Sequence, residues 1–226
     1  MNSKVSKLIP WLPGVITVAV AAGFCIAYGV CGGSDVTMYL QLLASSLLPF
    51  AVPLYTLVTK QPLTAVLSVL AAVFVFCASF LGSGLEFYDK FLCWDWIMHG
   101  AFAFIASLAI FIFCVRGRSG KANVLGCVLI VLLATLGIAA IWEIWEYIAD
   151  SITGADSQRV AESIALGKSP LADTMEDIMI AVAGSALFFI ALLADKFCGY
   201  KVCRRLCGFS GFGPVKRGSA LDDGQE

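Results

Sequence analysis

Asp95 and His99 stand four residues apart, Glu143 and Glu146 three, and Asp173 and Asp177 four. On an α-helix each of those intervals puts both side chains on one face, about one turn apart. Carboxylates grouped with a single imidazole suit a hard or borderline divalent cation, Mg²⁺, Mn²⁺ or Zn²⁺. Two-metal carboxylate centres in helix bundles follow related logic. His99 is the only histidine of the chain, so such a site has one nitrogen ligand. Its oxygen ligands come from the pool Asp95, Glu143, Glu146, Asp173 and Asp177, and Glu143, Glu146 and His99 are the catalytic candidates. A bound cation would polarise a phosphoryl or carbonyl oxygen, or activate water. Protonation is the competing way to neutralise clustered carboxylates, and it gives a hydrogen-bonded carboxyl cluster of the kind a proton relay uses.

Each pair also has a bland reading. Asp173 as N-cap with Glu176 at the third helical position approximates a capping box, and acids favour the positive end of a helix. Capping leaves Asp177 unexplained, because it enters the apolar run. A lone histidine near a helix end is ordinarily an interfacial imidazole bonded to a neighbour. His99 instead shares a face with Asp95 and comes four residues into a membrane span, where ionisable groups cost about 2.5–3.5 kcal/mol each at mid-bilayer and need partners. Asp150 continues the acidic face of Glu143 and Glu146 by one more turn.

The elements that hold these residues follow from composition. Of 226 residues, 60% are hydrophobic and 14% charged, with a mean hydropathy of +0.90. That is the composition of a polytopic membrane protein and argues against a nucleic-acid partner. Apolar runs of about 20 residues, enough to cross about 30 Å of hydrocarbon, occupy 10–31, 38–59, 63–85, 95–115, 122–149 and 174–194. The fold class is therefore all-α, an integral membrane bundle of six transmembrane helices. Pro49 and Pro53 bend the second. Residues 1–195 form the transmembrane domain, and 196–226 a basic tail with Cys and Gly whose end, from Gly208, is polar and partly disordered.

The chain holds 15 Lys and Arg. With both termini cytoplasmic, only Lys90, Arg159 and Lys168 lie outside; the other twelve, from Lys4 and Lys7 through Arg116, Arg118 and Lys121 to Lys216 and Arg217, lie inside. The acids gather at the other, outer end, and the net charge of −1 conceals this polarity. All three acidic pairs are at that end, so if the fourth, fifth and sixth helices are neighbours the pairs converge. The outer loop 150–173 carries a short amphipathic segment, 156–166. Its Arg159, with Lys168 beyond, is a candidate for binding an anionic head group, or pairs with nearby acids.

Helix one bears Ala19, Gly23 and Ala27 at four-residue spacing, a face for close packing inside the monomer, in a homo-oligomer or against a partner subunit. Of nine cysteines, Cys25, Cys77, Cys114 and Cys127 read as small hydrophobes. Cys31 and Cys93 face the oxidising side. The spacing of Cys198, Cys203 and Cys207 matches no common zinc signature.

The order Phe87-Tyr88-Asp89, Asp95-Trp-x-x-His99, Trp142-Glu-x-x-Glu146 and Asp173-Thr-Met-x-Asp177-Ile resembles that of the YjdF-like bacterial membrane proteins. More loosely it resembles the VanZ-like proteins, whose Asp-Lys-x-x-x-His pattern Asp89-Lys90 and His99 only approximate. The resemblance covers roughly residues 80–195. It implies a small helical protein of the bacterial cytoplasmic membrane with a polar outer pocket, and it carries no reaction. Three functions fit the residues: a metal-dependent enzyme acting on a lipid or lipid-linked substrate, a substrate-capturing or interaction subunit, and a proton- or cation-coupled transporter.

Overall fold

A computed structural model describes residues 8–60, 63–115, 121–209 and 211–212. The expectations for Lys4, Lys7, Arg116, Arg118, Lys216 and Arg217 lie outside the described residues, as does the tail from residue 213. The architecture is all-α. Six helices are long and apolar enough to cross a membrane: Ile9–Val30, Met38–Thr59, Ala65–Gly84, Trp94–Val115, Val124–Thr153 and Ala172–Phe197. They are called the first to sixth spans below. At 1.5 Å per residue the 30-residue fifth span is about 45 Å long, so its last turns project beyond about 30 Å of hydrocarbon.

Local sequence accounts for the irregular spans. The second is interrupted between Ser45 and Ala51, where Pro49 opens a turn of 3-10 helix, Leu48–Phe50. Proline has no N–H to donate, and the carbonyls freed by the break are taken up locally: Ser46 Oγ donates to Leu43 O at 2.7 Å and Ser45 Oγ to Leu42 O at 3.3 Å. The third span is α-helical to Val75 and continues as π-helix over Phe76–Gly84. Within its wider turns lies Gly82, where an added Cβ would lie 2.3 Å from the Tyr88 ring. The missing side chain is what seats Tyr88 against the bundle.

The fourth, fifth and sixth spans form a three-helix core whose buried positions advance in steps of about one turn, so the seam is built in layers. At one end stand His99, Glu143 and Asp177. Next come Ala103, Ala139 and Ala181, one from each span and packed together. Then Ser107 Oγ lies 3.1 Å from Thr135 Oγ1 and 3.1 Å from Ser185 Oγ, all three residues fully buried. Below them Phe111, Val131 and Phe188 close the seam with apolar bulk. The fourth and sixth spans approach most closely at Gly184, where a Cβ would meet Gly100 O at 2.4 Å. Backbone contact of this kind is the ordinary use of small residues between membrane helices.

The first span turns Gly14, Thr17 and Ala21 inward. Ala19, Gly23 and Ala27 are exposed, and nothing lies within 4 Å of a Cβ built on Gly23. The face therefore does not pack inside the monomer. At the opposite end of the bundle from the acids, Asp195 accepts hydrogen bonds from Val202 N at 3.0 Å and Cys203 N at 2.9 Å, capping the short helix Lys201–Cys207. Burial, and then the hydrogen bond and charge of Asp195, push the Cys203 thiol up to about 12. Phe209 is fully buried against Phe111 and Tyr200, and Gly211–Phe212 pairs in parallel with Lys121–Ala122. Cys31 and Cys93 are exposed free thiols.

Candidate metal centre

Asp95 and His99 sit one turn apart on the fourth span, and Asp177 faces them from the sixth. His99 Nε2 is 3.5 Å from Asp95 Oδ1 and 3.6 Å from Asp177 Oδ2. One ligand atom from each of the three falls within 4.8 Å of the others. Donors about 2.1 Å from a shared ion stand roughly 3.4 Å apart around a tetrahedral centre and about 3.0 Å apart around an octahedral one. The two nitrogen–oxygen separations lie close to the first of these values, as they would for donors sharing one ion.

Burial supplies the independent observation. Asp177 is 1% exposed and neither of its carboxylate oxygens has a hydrogen-bond partner. Glu143, on the fifth span, is 5% exposed, has the Thr174 hydroxyl near its carboxylate, and brings Oε1 within 3.9 Å of His99 Nδ1. Asp173 is buried with Oδ2 unpartnered. Buried polar atoms are nearly always satisfied, because leaving one bare forfeits its hydration without return. Five buried carboxylate oxygens on two helices, the fifth and sixth spans, gathered near the one imidazole of the fourth, have the chemistry of a ligand set.

The capping reading of Asp173 does not hold. The sixth span has Leu171 at its N-cap with no side-chain cap, and Asp173 lies inside the first turn, directed into the bundle. Glu176 does not reach back to the cap but pairs with Lys168 Nζ at 2.7 Å. Glu146 is one turn outward of Glu143, and its Oε1 accepts from Trp142 Nε1 at 2.8 Å. Asp150 ties down the loop: its two oxygens accept from Ser157 N at 2.9 Å and Gln158 N at 3.0 Å, which folds the loop 154–168 back over the helix end.

Each of the three cations at the acidic end has an acidic neighbour. Lys90 pairs with Glu86 at 3.2 Å, Lys168 with Glu176, and Arg159 with Glu162. Arg159 also donates through Nη1 to Tyr88 O at 2.8 Å, which ties the loop 154–168 to the segment before the fourth span. Burial alone would lower the Arg159 pKa; the Glu162 hydrogen bond and charge outweigh it and the net shift is upward, so this side chain stays charged.

Tyr88 borders the acidic end, its carbonyl accepting from Arg159 and its ring packed at Gly82, although sequence reasoning noted it only as part of a motif. Burial, and then the charges of Asp95, Glu146 and Asp177, push its phenol above its ordinary value, so it remains an O–H donor beside the acids. The signal that could have found it is its place beside Gly82, a contact no spacing rule encodes. Trp94 adds a buried indole N–H without a partner, its ring edge-on to Phe87.

Comparison with known proteins places the chain by family alone. A family model described as Predicted membrane protein (DUF2238) matches residues 13–196. The match takes in the first two spans, which the motif resemblance leaves out. No curated protein and no solved structure matches the chain.

Proposed function

We propose that the chain, which belongs to the predicted membrane protein family DUF2238, is a metal-dependent membrane enzyme acting on a lipid or lipid-linked substrate at the outer face of a bacterial cytoplasmic membrane. The observation that carries the reading is Asp177, fully buried with two bare oxygens beside His99 and Asp95. Asp95, His99 and Asp177 hold the cation. Three protein ligands leave a tetrahedral ion one position for water or substrate, the arrangement of catalytic rather than structural sites. There the ion lowers the pKa of bound water or polarises a phosphoryl or carbonyl oxygen. Glu146 flanks it as a proton-handling carboxylate, Glu143 stands beside His99, and Tyr88 is a neutral donor. Arg159 and Lys168 engage an anionic head group by exchanging it for Glu162 and Glu176. The outer placement rests on the twelve-to-three distribution of cations, and the YjdF-like motif order supports the bacterial setting.

A second reading, a substrate-capturing or interaction subunit, draws on the exposed Ala19, Gly23 and Ala27 of the first span. It needs no chemistry at the acids. Transport has less support: below the hydroxyl layer the seam is Phe111, Val131, Cys127, Phe188 and Leu192, with no acid or base among the described residues until Asp195, which is occupied as a cap. Elemental analysis of detergent-purified protein, with identification of co-extracted lipids, tests the proposal. One equivalent of a divalent metal in wild type, lost in Asp177→Asn and His99→Ala, is expected. Metal-free wild type with unchanged melting on addition of Zn²⁺, Mn²⁺ or Mg²⁺ would leave a protonated carboxyl cluster as the answer.

A further inference from the structure

The carboxylates around His99 are not equivalent, and the geometry points to a division of labour: Glu143 is a positioning residue that holds the His99 imidazole through Nδ1–H, while Nε2 alone binds the cation with Asp95 and Asp177. The inference rests on the metal reading above and assigns a role within it. The two nitrogens of the ring face different groups. Nε2 has Asp95 Oδ1 and Asp177 Oδ2 at 3.5 and 3.6 Å, the separation of co-ligands; Nδ1 has only Glu143 Oε1, at 3.9 Å. A neutral imidazole offers one lone pair and one N–H, and the tautomer follows from which nitrogen has an acceptor. Acceptors face both nitrogens; with Nε2 given to a cation beside Asp95 and Asp177, the acceptor that remains for the ring N–H is Glu143 on the Nδ1 side.

Glu143 comes from the fifth span, whereas the three donors of the compact group come from the fourth and sixth. It is buried, with the Thr174 hydroxyl near its carboxylate. One carboxylate accepts more than one donor, and its Oε1 is the carboxylate oxygen that faces Nδ1. The remaining gap to a hydrogen bond of about 2.9 Å is roughly 1 Å, within reach of a side chain with three rotatable bonds. Nε2 needs no comparable movement, since its separations already fit donors sharing one ion. A carboxylate on the far nitrogen of a metal-bound histidine fixes the ring and raises its basicity, and losing it commonly weakens metal binding by 10–100-fold without removing a ligand.

The single histidine makes the test direct. Full-length protein in detergent is labelled with ¹⁵N at the imidazole and titrated with Zn²⁺, and the one pair of ring-nitrogen signals is followed in wild type, Glu143→Ala, Glu143→Gln and Asp177→Asn. The expected result is Zn²⁺ on Nε2 with Nδ1 protonated in wild type. Glu143→Ala should keep one equivalent of Zn²⁺ on Nε2 with affinity reduced about 10–100-fold, and Glu143→Gln, whose amide oxygen still accepts from Nδ1–H, should recover most of that loss. Asp177→Asn should lose the ion. Zn²⁺ on Nδ1, or Glu143→Gln losing the ion as completely as Asp177→Asn, would overturn the positioning role and make Glu143 a ligand, with the metal reading intact. A wild-type protein that binds no Zn²⁺ while its imidazole signals stay unchanged would overturn both.

Discussion

Acids of similar chemistry do three different jobs in this chain, and what separates them is the partner each has found. Asp150 and Asp195 each accept two backbone N–H groups, the one tying down a loop and the other capping a helix. Glu86, Glu162 and Glu176 neutralise cations. Asp177 and Asp173 have bare, buried oxygens. Substitution should sort them. Asp150→Ala and Asp195→Ala are expected to lower stability by about 0.5–2 kcal/mol, as the loss of a side chain bonded to backbone N–H groups does, with the metal content of purified protein unchanged; a loss of metal in either would mean that this assignment is wrong. Asp177→Leu should behave in the opposite sense. Replacing an unsatisfied buried carboxylate by an apolar side chain removes a desolvation penalty, so metal-free Asp177→Leu should melt above metal-free wild type while binding no cation. A lower melting temperature would show that the carboxylate is satisfied in the resting protein. The sequence could show the Asp95/His99 and Asp173/Asp177 pairs because helical spacing determines who shares a face. It could not show that Glu146 and Asp150 leave the face of Glu143 for Trp142 and for the loop, since those bonds depend on where the chain goes after the helix ends.

At the scale of helices, two glycines give opposite expectations. A Cβ at Gly184 would strike Gly100 O at 2.4 Å, backbone that cannot turn aside, and the contact lies two turns below Asp177. Gly184→Leu should therefore force the fourth and sixth spans apart, destabilise the protein by at least the 1–3 kcal/mol typical of overpacking, and abolish cation binding; a Zn²⁺ titration matching wild type would contradict the close approach. Gly23→Leu meets nothing within 4 Å and should leave the stability of the monomer unchanged. If light scattering in detergent finds an oligomer that Gly23→Leu dissociates, the first span is its contact face. Gly184 and Ser185 were legible as a packing site because small residues in an apolar run admit a neighbour. The π-helix of the third span was not: Phe76-Cys-Ala-Ser-Phe-Leu-Gly-Ser-Gly84 carries no residue that demands a wider turn, and the reason for it lies in Tyr88, which packs onto Gly82 from the next segment. The apparent capping box failed for a related reason. Its residue types were right, but the sixth span begins at Ala172, which puts Asp173 inside the helix and buries it.

For the whole molecule, hydrophobicity and charge polarity were readable because bilayer thickness and loop cations act on composition rather than on contacts. All six apolar runs are helices, differing from expectation by a few residues at the ends where the fifth and sixth spans rise out of the apolar layer. The orientation these runs take makes the last prediction. Asp150, Arg159 and the acidic layer lie at one end of the bundle, tied together by Asp150 to Ser157 and Gln158 and by Arg159 to Tyr88; Lys196, Lys201, Arg204 and Arg205 lie exposed at the other. Carrying the cation-rich end across the membrane would violate the asymmetry that sets topology, so the acidic layer must open outward. A cysteine placed at the exposed Ser157, in a background where the native exposed thiols Cys31, Cys93 and Cys198 are replaced by serine, should react with an impermeant maleimide in intact cells. A cysteine at Arg205 should react only after the inner face is opened. The reverse pattern would put the metal site on the cytoplasmic side and redirect the search for its substrate to the inner leaflet, with the ligand geometry unchanged.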